Sequence, residues 1–317
     1  KDVIVKEYNF RQPNKEISYV VYRTYSSQEG IPEFESLAVS VPKQHVFHVE
    51  LNRPDKLNSF SHSMWGELKE CFSSLSENPE CRVVVLSARG KHFTAGIDLN
   101  DFMKQGMVAQ DIEDVARKTF LPNLQIVQDG ITALEDCAKP VFVVVHNACV
   151  GAGVDLITAA DVRYCTEEAW FQVKEVEVGL AADVGTLQRL PKVVGSSSVV
   201  RELCYTARKF QAKEALQIGL VSKVFANQEK ALEHVIQVAE NVAAKSPVAV
   251  QVTKQSLVYS QSRPTKDGLD HIVRIKYISF YYTTQTKMKC LVPVIALATL
   301  SFKPEHNNAS VIAWRQK

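Results

Sequence analysis

The chain has 317 residues with 37 basic and 35 acidic side chains, so its formal net charge is only +2. A protein that binds nucleic acid or a membrane surface would be expected to carry a basic excess, and this chain has none. With 46% hydrophobic and 23% charged residues, it has the composition of a globular protein that can bury a sizeable core. The sequence contains no run of 18 apolar residues, so no transmembrane helix is predicted.

Residues 1–33 are predicted to form an N-terminal extension. Within it, Arg23–Ser26 looks like a mitochondrial matrix cleavage site, whereas Asp2, Glu7 and Glu16 are unlike a transit peptide, which is usually poor in acids. A matrix leader and an ordinary disordered extension are therefore both open interpretations of this segment.

Valine-rich runs alternate with helical patterns along the next two hundred residues. The predicted strands are Phe34–Val41, His45–Leu51, Arg82–Leu86, Pro140–Val145 and Val162–Cys165, with a turn at Pro42-Lys43 between the first two. The predicted helices are His62–Leu75, Ile112–Cys137, Ala152–Ala160, Thr186–Val194, Ser197–Ala207, Ala212–Ile218 and Lys230–Ala244. Strands that alternate with helices indicate crossover units and an α/β fold. We therefore expect one core over residues 34–245 and a helical C-terminal region over residues 246–317.

The seven cysteines are scattered and have no Cys-x-x-Cys spacing, which argues against a zinc site or a disulfide framework. Most of them lie in apolar runs, so we expect reduced, buried side chains.

Several common cofactor and nucleophile motifs are incomplete or missing. Gly151-Ala152-Gly153 opens a helix after a strand, as in a dinucleotide fingerprint, but Leu156 stands where the third glycine belongs. The sequence has no phosphate-binding Gly-x4-Gly-Lys-Ser/Thr loop, no His-Glu-x-x-His and no Gly-x-Ser-x-Gly elbow. The eight histidines are dispersed. Neither a metal nor a redox cofactor is predicted.

Three segments carry the residues suited to chemistry: His92–Leu99, His146–Asp155 and Phe171–Asp183. In the first two, small residues follow a strand, so a ligand could approach backbone N–H groups closely, in the second case at a helix N-terminus. Asp98 is expected to cap a following helix. Asp155 and Asp183 stand among apolar and small residues, which is unusual for solvated carboxylates, so both are predicted to line a pocket.

Taken together, these segments resemble the crotonase (enoyl-CoA hydratase/isomerase) superfamily. Thr94–Asp98 and Gly151–Leu156 are similar to its two oxyanion-hole loops, and Leu51–Asn58 looks like its early CoA-contacting loop. Phe171–Leu190, which ends Ala-Asp-Val-Gly-Thr-Leu-Gln-Arg-Leu, resembles the dienoyl-CoA isomerase branch specifically. The likeness extends over Phe34–Val258, and several ordered motifs in one chain are far more specific than any one alone.

The resemblance implies a crotonase (ClpP-like) spiral of β-β-α units with a helical C-terminal region. It also implies isomerisation of a 3,5-dienoyl-CoA to a 2,4-dienoyl-CoA in fatty-acid β-oxidation. The backbone N–H groups of Ile97 and Ala152 would hold the thioester oxygen. Glu175 would handle the proton at C2, and Asp183 would reach C6. Asp155 aligns with a second carboxylate of the hydratases, which is glutamate there.

Further binding roles follow from the same likeness. The implied substrate-binding residues are Lys56, Leu57, Ala95, Gly96, Asp98 and Gly151. Ala152 departs from the family pattern, which commonly has glycine there, so an added methyl group would narrow the pocket. The implied partner is an acyl-CoA substrate, with no nucleic acid, no membrane and no separate cofactor. Members of the family form trimers that pair into hexamers, so a homo-oligomer is expected.

Two alternatives within the family are a 2-enoyl-CoA hydratase and a 3,2-enoyl-CoA isomerase. Hydratases resemble one another in having glycine where Asp183 stands, and the shorter proton shift would not need Asp183. An alternative of another class is a non-catalytic binding protein on a crotonase scaffold. The near-neutral charge argues against the RNA-binding form of that alternative.

The C-terminal region departs most from the family. From about Leu269 the likeness fades, and Lys287–Lys317 does not resemble the family's terminal helices, as an alternative splice product or a faulty gene model would explain. The expected compartment is the mitochondrial matrix. Relatives can be peroxisomal, but this chain ends Arg315-Gln316-Lys317 rather than Ser-Lys-Leu.

Overall fold

The computed structural model of the chain describes residues 9–12, 15–18, 31–101 and 121–285. Internal contacts divide the chain into two units, residues 1–268 and residues 269–317. Every strand of the described residues belongs to the first unit, and the described part of the second is helical. Most of the predicted extension and of the divergent tail lies outside the described residues.

The strands are β1 (Asn9–Gln12), β2 (Lys15–Ser18), β3 (Leu37–Lys43), β4 (Val46–Leu51), β5 (Val83–Ala88), β6 (Val141–Val145), β7 (Ala148–Val150), β8 (Val162–Thr166), β9 (Trp170–Gln172), β10 (Phe210–Gln211) and β11 (Lys223–Phe225). The helices are α1 (His62–Glu77), α2 (Leu121–Asp136), α3 (Ala152–Ala159), α4 (Thr186–Val193), α5 (Ser197–Thr206), α6 (Ala212–Gln217), α7 (Gln228–Ala243), α8 (Pro247–Ser260) and α9 (Thr265–Gln285).

Two sheets form the core of the first unit, and a separate antiparallel pair joins β1 to β2. The larger sheet has six strands in the order β11-β8-β6-β5-β4-β3, all parallel except for the antiparallel β3–β4 pair. The smaller sheet has the order β10-β9-β7, with β7 parallel to β9. The predicted α/β class is therefore confirmed.

The larger sheet is buried on both faces, as its valine-rich strands predict. All six residues of β5 are buried, and their side chains alternate between two apolar clusters. Val84 and Leu86 pack towards α1, whose buried face includes Leu68 and Phe72. Val83 and Val85 pack on the other face, against the alanine- and valine-rich side of α7.

The predicted helices are present wherever the structure describes them, and their ends shift by one or two residues. Of the predicted helix Ile112–Cys137, residues 121–136 are described and helical. α1 begins after Ser61, whose hydroxyl accepts a hydrogen bond from the Met64 N–H, as an N-cap does. The six cysteines among the described residues are buried and unpaired, as expected.

The turn predicted at Pro42-Lys43 was placed wrongly. Both residues belong to β3, and the chain reverses at Gln44-His45, where His45 takes a positive φ of 65°. β3 is an edge strand with a register shift between Ser40 and Lys43. A proline, which has no N–H to donate, is tolerated at such a position. The short strands β7, β9, β10 and β11 were not predicted, because two or three residues show no periodicity.

Candidate active site

The first candidate oxyanion loop, Thr94–Asp98, lies directly against the second. Gly96 has a φ of 93°, a conformation that side-chain-bearing residues rarely adopt. A methyl group at Gly96 would lie 2.9 Å from the carbonyl oxygen of Val150 and 4.0 Å from the Cα of Gly151. Glycine is therefore required for the two loops to meet.

The hydrogen bonding around Ile97 leaves its N–H directed away from the neighbouring chain. Ile97 forms an isolated parallel bridge with Phe60. The Phe60 N–H donates to the Gly96 carbonyl (2.9 Å), and the Asp98 N–H donates to the Phe60 carbonyl (3.0 Å). In a parallel pair these bonds use the residues on either side of Ile97, so its own N–H faces the opposite side.

The second loop connects β7 to α3 through Gly151. The Gly151 N–H donates to the Gln172 carbonyl (2.9 Å), and the Val154 N–H donates to the Gly151 carbonyl (2.7 Å). Ala152 is the first residue of α3, so its N–H has no partner within the helix. A helix N-terminus also favours negative charge, which suits this N–H to an anionic oxygen.

Asp155 lies in the first turn of α3 and is completely buried. Its Oδ1 accepts a 2.5 Å hydrogen bond from the backbone N–H of Thr186, whereas its buried Oδ2 has no hydrogen-bond partner among the described residues. Burial, reinforced by the nearby charge of Glu175, raises the pKa of Asp155 to about 7. The prediction that this carboxylate is not a solvated surface group is confirmed.

Glu175 begins a short 3-10 turn, Glu175–Val178, after β9. Its Oε1 lies 3.3 Å from the point that a Cβ of Gly151 would occupy, so the carboxylate stands over the second oxyanion loop. Its Oε2 is buried and has no hydrogen-bond partner in the part of the chain that the structure describes. Burial raises the pKa of Glu175, and the charge of Asp183 raises it further.

The prediction that Asp183 lines a pocket is wrong in one respect, because its side chain is exposed rather than enclosed. It stands between buried Ala182 and buried Val184. The protein on one side of it still raises its pKa by desolvation. Its charge also acts on the pKa values of Asp155 and Glu175, so the structure brings the three carboxylates within electrostatic reach of one another.

The remaining predicted residues surround the first loop. Lys56 and Leu57 are exposed, and the Leu57 carbonyl accepts a hydrogen bond from the Ala95 N–H (3.0 Å). Asp98 precedes a helical turn over residues 99–101 and accepts from the Asp101 N–H (3.4 Å), which confirms the predicted cap. The other oxygen of Asp98 pairs with Arg53 at 3.2 Å.

Sequence reasoning missed the residues of α2 that hold the Asp183 loop. The Gln128 amide donates to the backbone carbonyl of Asp183 (2.7 Å). Arg189 of α4 reaches the Glu135 carboxylate at 2.7 Å and the Thr132 hydroxyl at 3.0 Å. The i, i+4, i+7 spacing of Gln128, Thr132 and Glu135 places these polar groups on one helical face, which was the available signal. Among the described residues, no group of three or more His, Cys, Asp or Glu side chains could hold a metal ion.

The α/β core thus brings the two candidate oxyanion loops together at Gly96 and Gly151, with the Glu175 carboxylate over the second loop. Residues 42–289 match the family of enoyl-CoA hydratases and isomerases. This chain belongs to that family, and the crotonase fold expected from the sequence is confirmed by solved structures. One is the enoyl-CoA hydratase of Bacillus anthracis, with a TM-score of 0.70 and 26% identity over 84% of this chain and 97% of that one.

More similar sequences carry a more specific name. The mitochondrial Delta(3,5)-Delta(2,4)-dienoyl-CoA isomerase of Homo sapiens is 49% identical over 241 residues, which cover 75% of this chain and 73% of that protein. The peroxisomal enzyme of the same name from Arabidopsis thaliana is 44% identical over 229 residues, which cover 72% of this chain and 82% of that protein.

The helices that the structure describes include none with the length and apolar character of a membrane span.

Proposed function

We propose that this protein is an isomerase that converts 3,5-dienoyl-CoA into 2,4-dienoyl-CoA in the β-oxidation of unsaturated fatty acids. The observation that carries the proposal is the grouping of Asp155, Glu175 and Asp183 beside the two candidate oxyanion loops. The identity of 49% to a named dienoyl-CoA isomerase over most of the chain supports the same reaction.

The chemistry begins at the thioester. Removal of a proton from C2 of the diene gives a dienolate whose negative charge is shared by the thioester oxygen, C2, C4 and C6. The N–H groups of Ile97 and Ala152 would bind that oxygen, and each fixed donor of this kind is typically worth about 3–4 kcal/mol in the transition state. The adjacency of the two loops at Gly96 and Gly151 is the structural support for this role.

Two carboxyl groups would complete the proton shift. Glu175, which stands over the second loop, would take the C2 proton as base, and Asp183 at the rim would deliver a proton to C6 as acid. The C3=C4 and C5=C6 bonds thereby become C2=C3 and C4=C5, with no net change in atoms or charge. The raised pKa values of both groups support one proton being held between them, because neighbouring carboxylates resist double ionisation.

Asp155 would assist by keeping the base in place. It is the most deeply buried of the three groups, and its pKa of about 7 leaves a substantial fraction of it protonated at neutral pH. A protonated Asp155 can donate a hydrogen bond to a neighbouring carboxylate, and Glu175 has a buried oxygen without a partner among the described residues.

The proposed reaction needs neither a metal nor a redox cofactor, because the proton shift leaves the oxidation state unchanged.

The activity is tested by adding purified protein to 3,5-octadienoyl-CoA and following the near-ultraviolet absorbance of the conjugated 2,4-dienoyl product. Parallel reactions use 2-octenoyl-CoA and 3-octenoyl-CoA. The proposal expects turnover of the diene with little turnover of the two mono-enes. Hydration of 2-octenoyl-CoA without diene turnover would instead identify an enoyl-CoA hydratase, the alternative suggested by the solved relatives.

The proposed setting is the mitochondrial matrix, as the names of the mammalian relatives and the predicted cleavage motif at Arg23–Ser26 support. The peroxisome is the alternative, in line with the plant relative. A homo-oligomer, trimeric or hexameric, is the proposed assembly on the basis of the family resemblance alone.

A further inference from the structure

Thr94 is a fully buried residue at the junction of the two candidate oxyanion loops. Its backbone joins the loops through an isolated parallel bridge to Cys149. The Thr94 N–H donates to the Ala148 carbonyl (3.0 Å), and the Val150 N–H donates to the Thr94 carbonyl (3.3 Å). These bonds fix the start of the first loop to the strand that leads into the second.

The Thr94 hydroxyl organises the first loop. It donates a 2.6 Å hydrogen bond to the Asn58 carbonyl and accepts a 3.1 Å hydrogen bond from the Gly96 N–H. The peptide that follows Gly96 carries the Ile97 N–H, so the hydroxyl restrains the backbone immediately before that donor. Because the site is buried, loss of the hydroxyl would leave the Gly96 N–H without its partner.

Asn58 makes the other end of this contact rigid. Its side-chain amide donates to the carbonyls of Arg89 (2.7 Å) and His92 (2.9 Å), and its Oδ1 accepts from the Arg53 N–H (2.8 Å). Asn58 is fully buried with a φ of 53°. The acceptor of the Thr94 hydroxyl is therefore itself fixed to the chain that enters the first loop.

The Thr94 methyl group contacts the second loop. A methyl group added at Gly153, in the first turn of α3, would lie only 2.4 Å from Cγ2 of Thr94. The threonine methyl thus occupies the space above Gly153, one residue beyond the Ala152 donor. The same side chain holds the first loop by its hydroxyl and abuts the second by its methyl.

We propose that Thr94 is a positioning residue that sets the separation of the Ile97 and Ala152 N–H donors. This inference rests on the proposed function, in which the two N–H groups bind the thioester oxygen of the substrate. Thr94 touches no reacting atom. It acts through the two loops, so its substitution should lower kcat more than it raises KM and should weaken polarisation of the thioester carbonyl.

The first test removes the hydroxyl without changing side-chain volume. Thr94→Val is expected to lose about 10- to 100-fold in kcat, since small misplacements of catalytic groups cost up to about 100-fold. Thr94→Ser keeps the hydroxyl and should keep most of the wild-type kcat. Thr253→Val is the matched control, because the Thr253 hydroxyl is exposed and donates to the Ala249 carbonyl within α8.

A spectroscopic readout separates positioning from general damage. Bound 2,4-octadienoyl-CoA with a 13C-labelled thioester carbonyl should show a lowered C=O stretching frequency in the wild-type protein, by difference infrared spectroscopy. Thr94→Val should bind the ligand with a smaller frequency shift. A wild-type frequency shift in Thr94→Val, or a wild-type kcat, would overturn the proposal.

A second test uses the steric contact and does not depend on Thr94→Val folding. Gly153→Ala is expected to lower kcat, because the new methyl would lie 2.4 Å from Cγ2 of Thr94, a much closer approach than its 3.2 Å distance to Sγ of Cys149. Thr94→Ser in the same chain removes Cγ2 and should restore much of the lost activity. If Gly153→Ala has no effect, or if the double variant is no better than Gly153→Ala, the coupling through Thr94 is refuted.

The two proposals fail in different ways. A wild-type protein that lowers the carbonyl frequency but does not isomerise the diene would refute the proposed reaction and leave the role of Thr94 intact. A wild-type protein that isomerises the diene without lowering the carbonyl frequency would refute the role of Thr94 and leave the reaction intact.

Discussion

Replacing Asp155 with asparagine should stabilise the folded protein, and the gain should increase as the pH rises. The asparagine amide has nearly the shape of the carboxyl group, and its oxygen can still accept the hydrogen bond from the Thr186 N–H. The wild-type carboxylate, by contrast, must ionise in a fully buried position beside Glu175. The substitution removes that cost.

The size of the effect follows from the pKa. A rise of the Asp155 pKa from 3.8 to about 7 means that the folded state binds the proton more tightly than the unfolded state. Wild-type stability therefore falls as the pH rises through this window, and the full cost above pH 7 is about 4 kcal/mol. Between pH 5.5 and pH 8 the advantage of Asp155→Asn should grow by about 2 kcal/mol.

The assay is urea unfolding of both proteins at a fixed protein concentration across that pH range, followed by tryptophan fluorescence. Asp129→Asn is a control that should lose stability rather than gain it. Hydrogen bonds from Lys69 and Gln125 lower the pKa of Asp129, so its ionised form stabilises the folded protein. An advantage of Asp155→Asn that stays constant or shrinks with rising pH would show that the pKa of Asp155 is not raised in the folded protein.

Two further predictions test the loops and the core. Gly96→Ala should lose about 100-fold in kcat, measured by diene turnover, because the new methyl group would separate the two loops. Gly66→Ala, on an open face of α1, should instead gain up to about 1 kcal/mol in stability. Lys254→Met should lose about 3 kcal/mol in urea unfolding, because the buried ammonium lies 2.8 Å from Asp161 and donates to two backbone carbonyls. Lys245→Met, at an exposed position, should change stability little; equal losses in the two lysine variants would contradict this account.

The fold could be predicted well where the sequence carries a period. α1 shows a complete apolar face, and β5 is a valine-rich run too short for a buried helix, so each has one physical solution. The smaller sheet escaped prediction, because β7 and β9 have three residues each and exist through pairing with distant segments. Such strands are determined by tertiary contacts and leave no local pattern.

The candidate site also has a part that local sequence predicts and a part that depends on distant contacts. The burial of Asp155 could be expected from its apolar neighbours on a helix that is buried throughout. The exposure of Asp183 could not, because residues 179–185 form a loop between the 3-10 turn and α4, and no local rule specifies the path of that loop. The bonds from Gln128 and Arg189 that hold this loop join residues more than fifty positions apart.

In the proposed reaction, Glu175 and Asp183 divide the proton transfer between C2 and C6. In deuterium oxide, an enzyme that lacks only the distant acid should still exchange the C2 proton with solvent while failing to form the 2,4-diene. Asp183→Asn is the variant that isolates this step, and Glu175→Gln, which removes the base, is its matched comparison.

The measurement to make is mass-spectrometric deuterium incorporation at C2 of 3,5-octadienoyl-CoA, recorded alongside product absorbance for both variants. We expect Asp183→Asn to retain exchange and to lose isomerisation by at least about 100-fold, whereas Glu175→Gln should lose both. Full isomerisation by Asp183→Asn, or exchange that survives in Glu175→Gln, would contradict the division of roles between the two carboxylates.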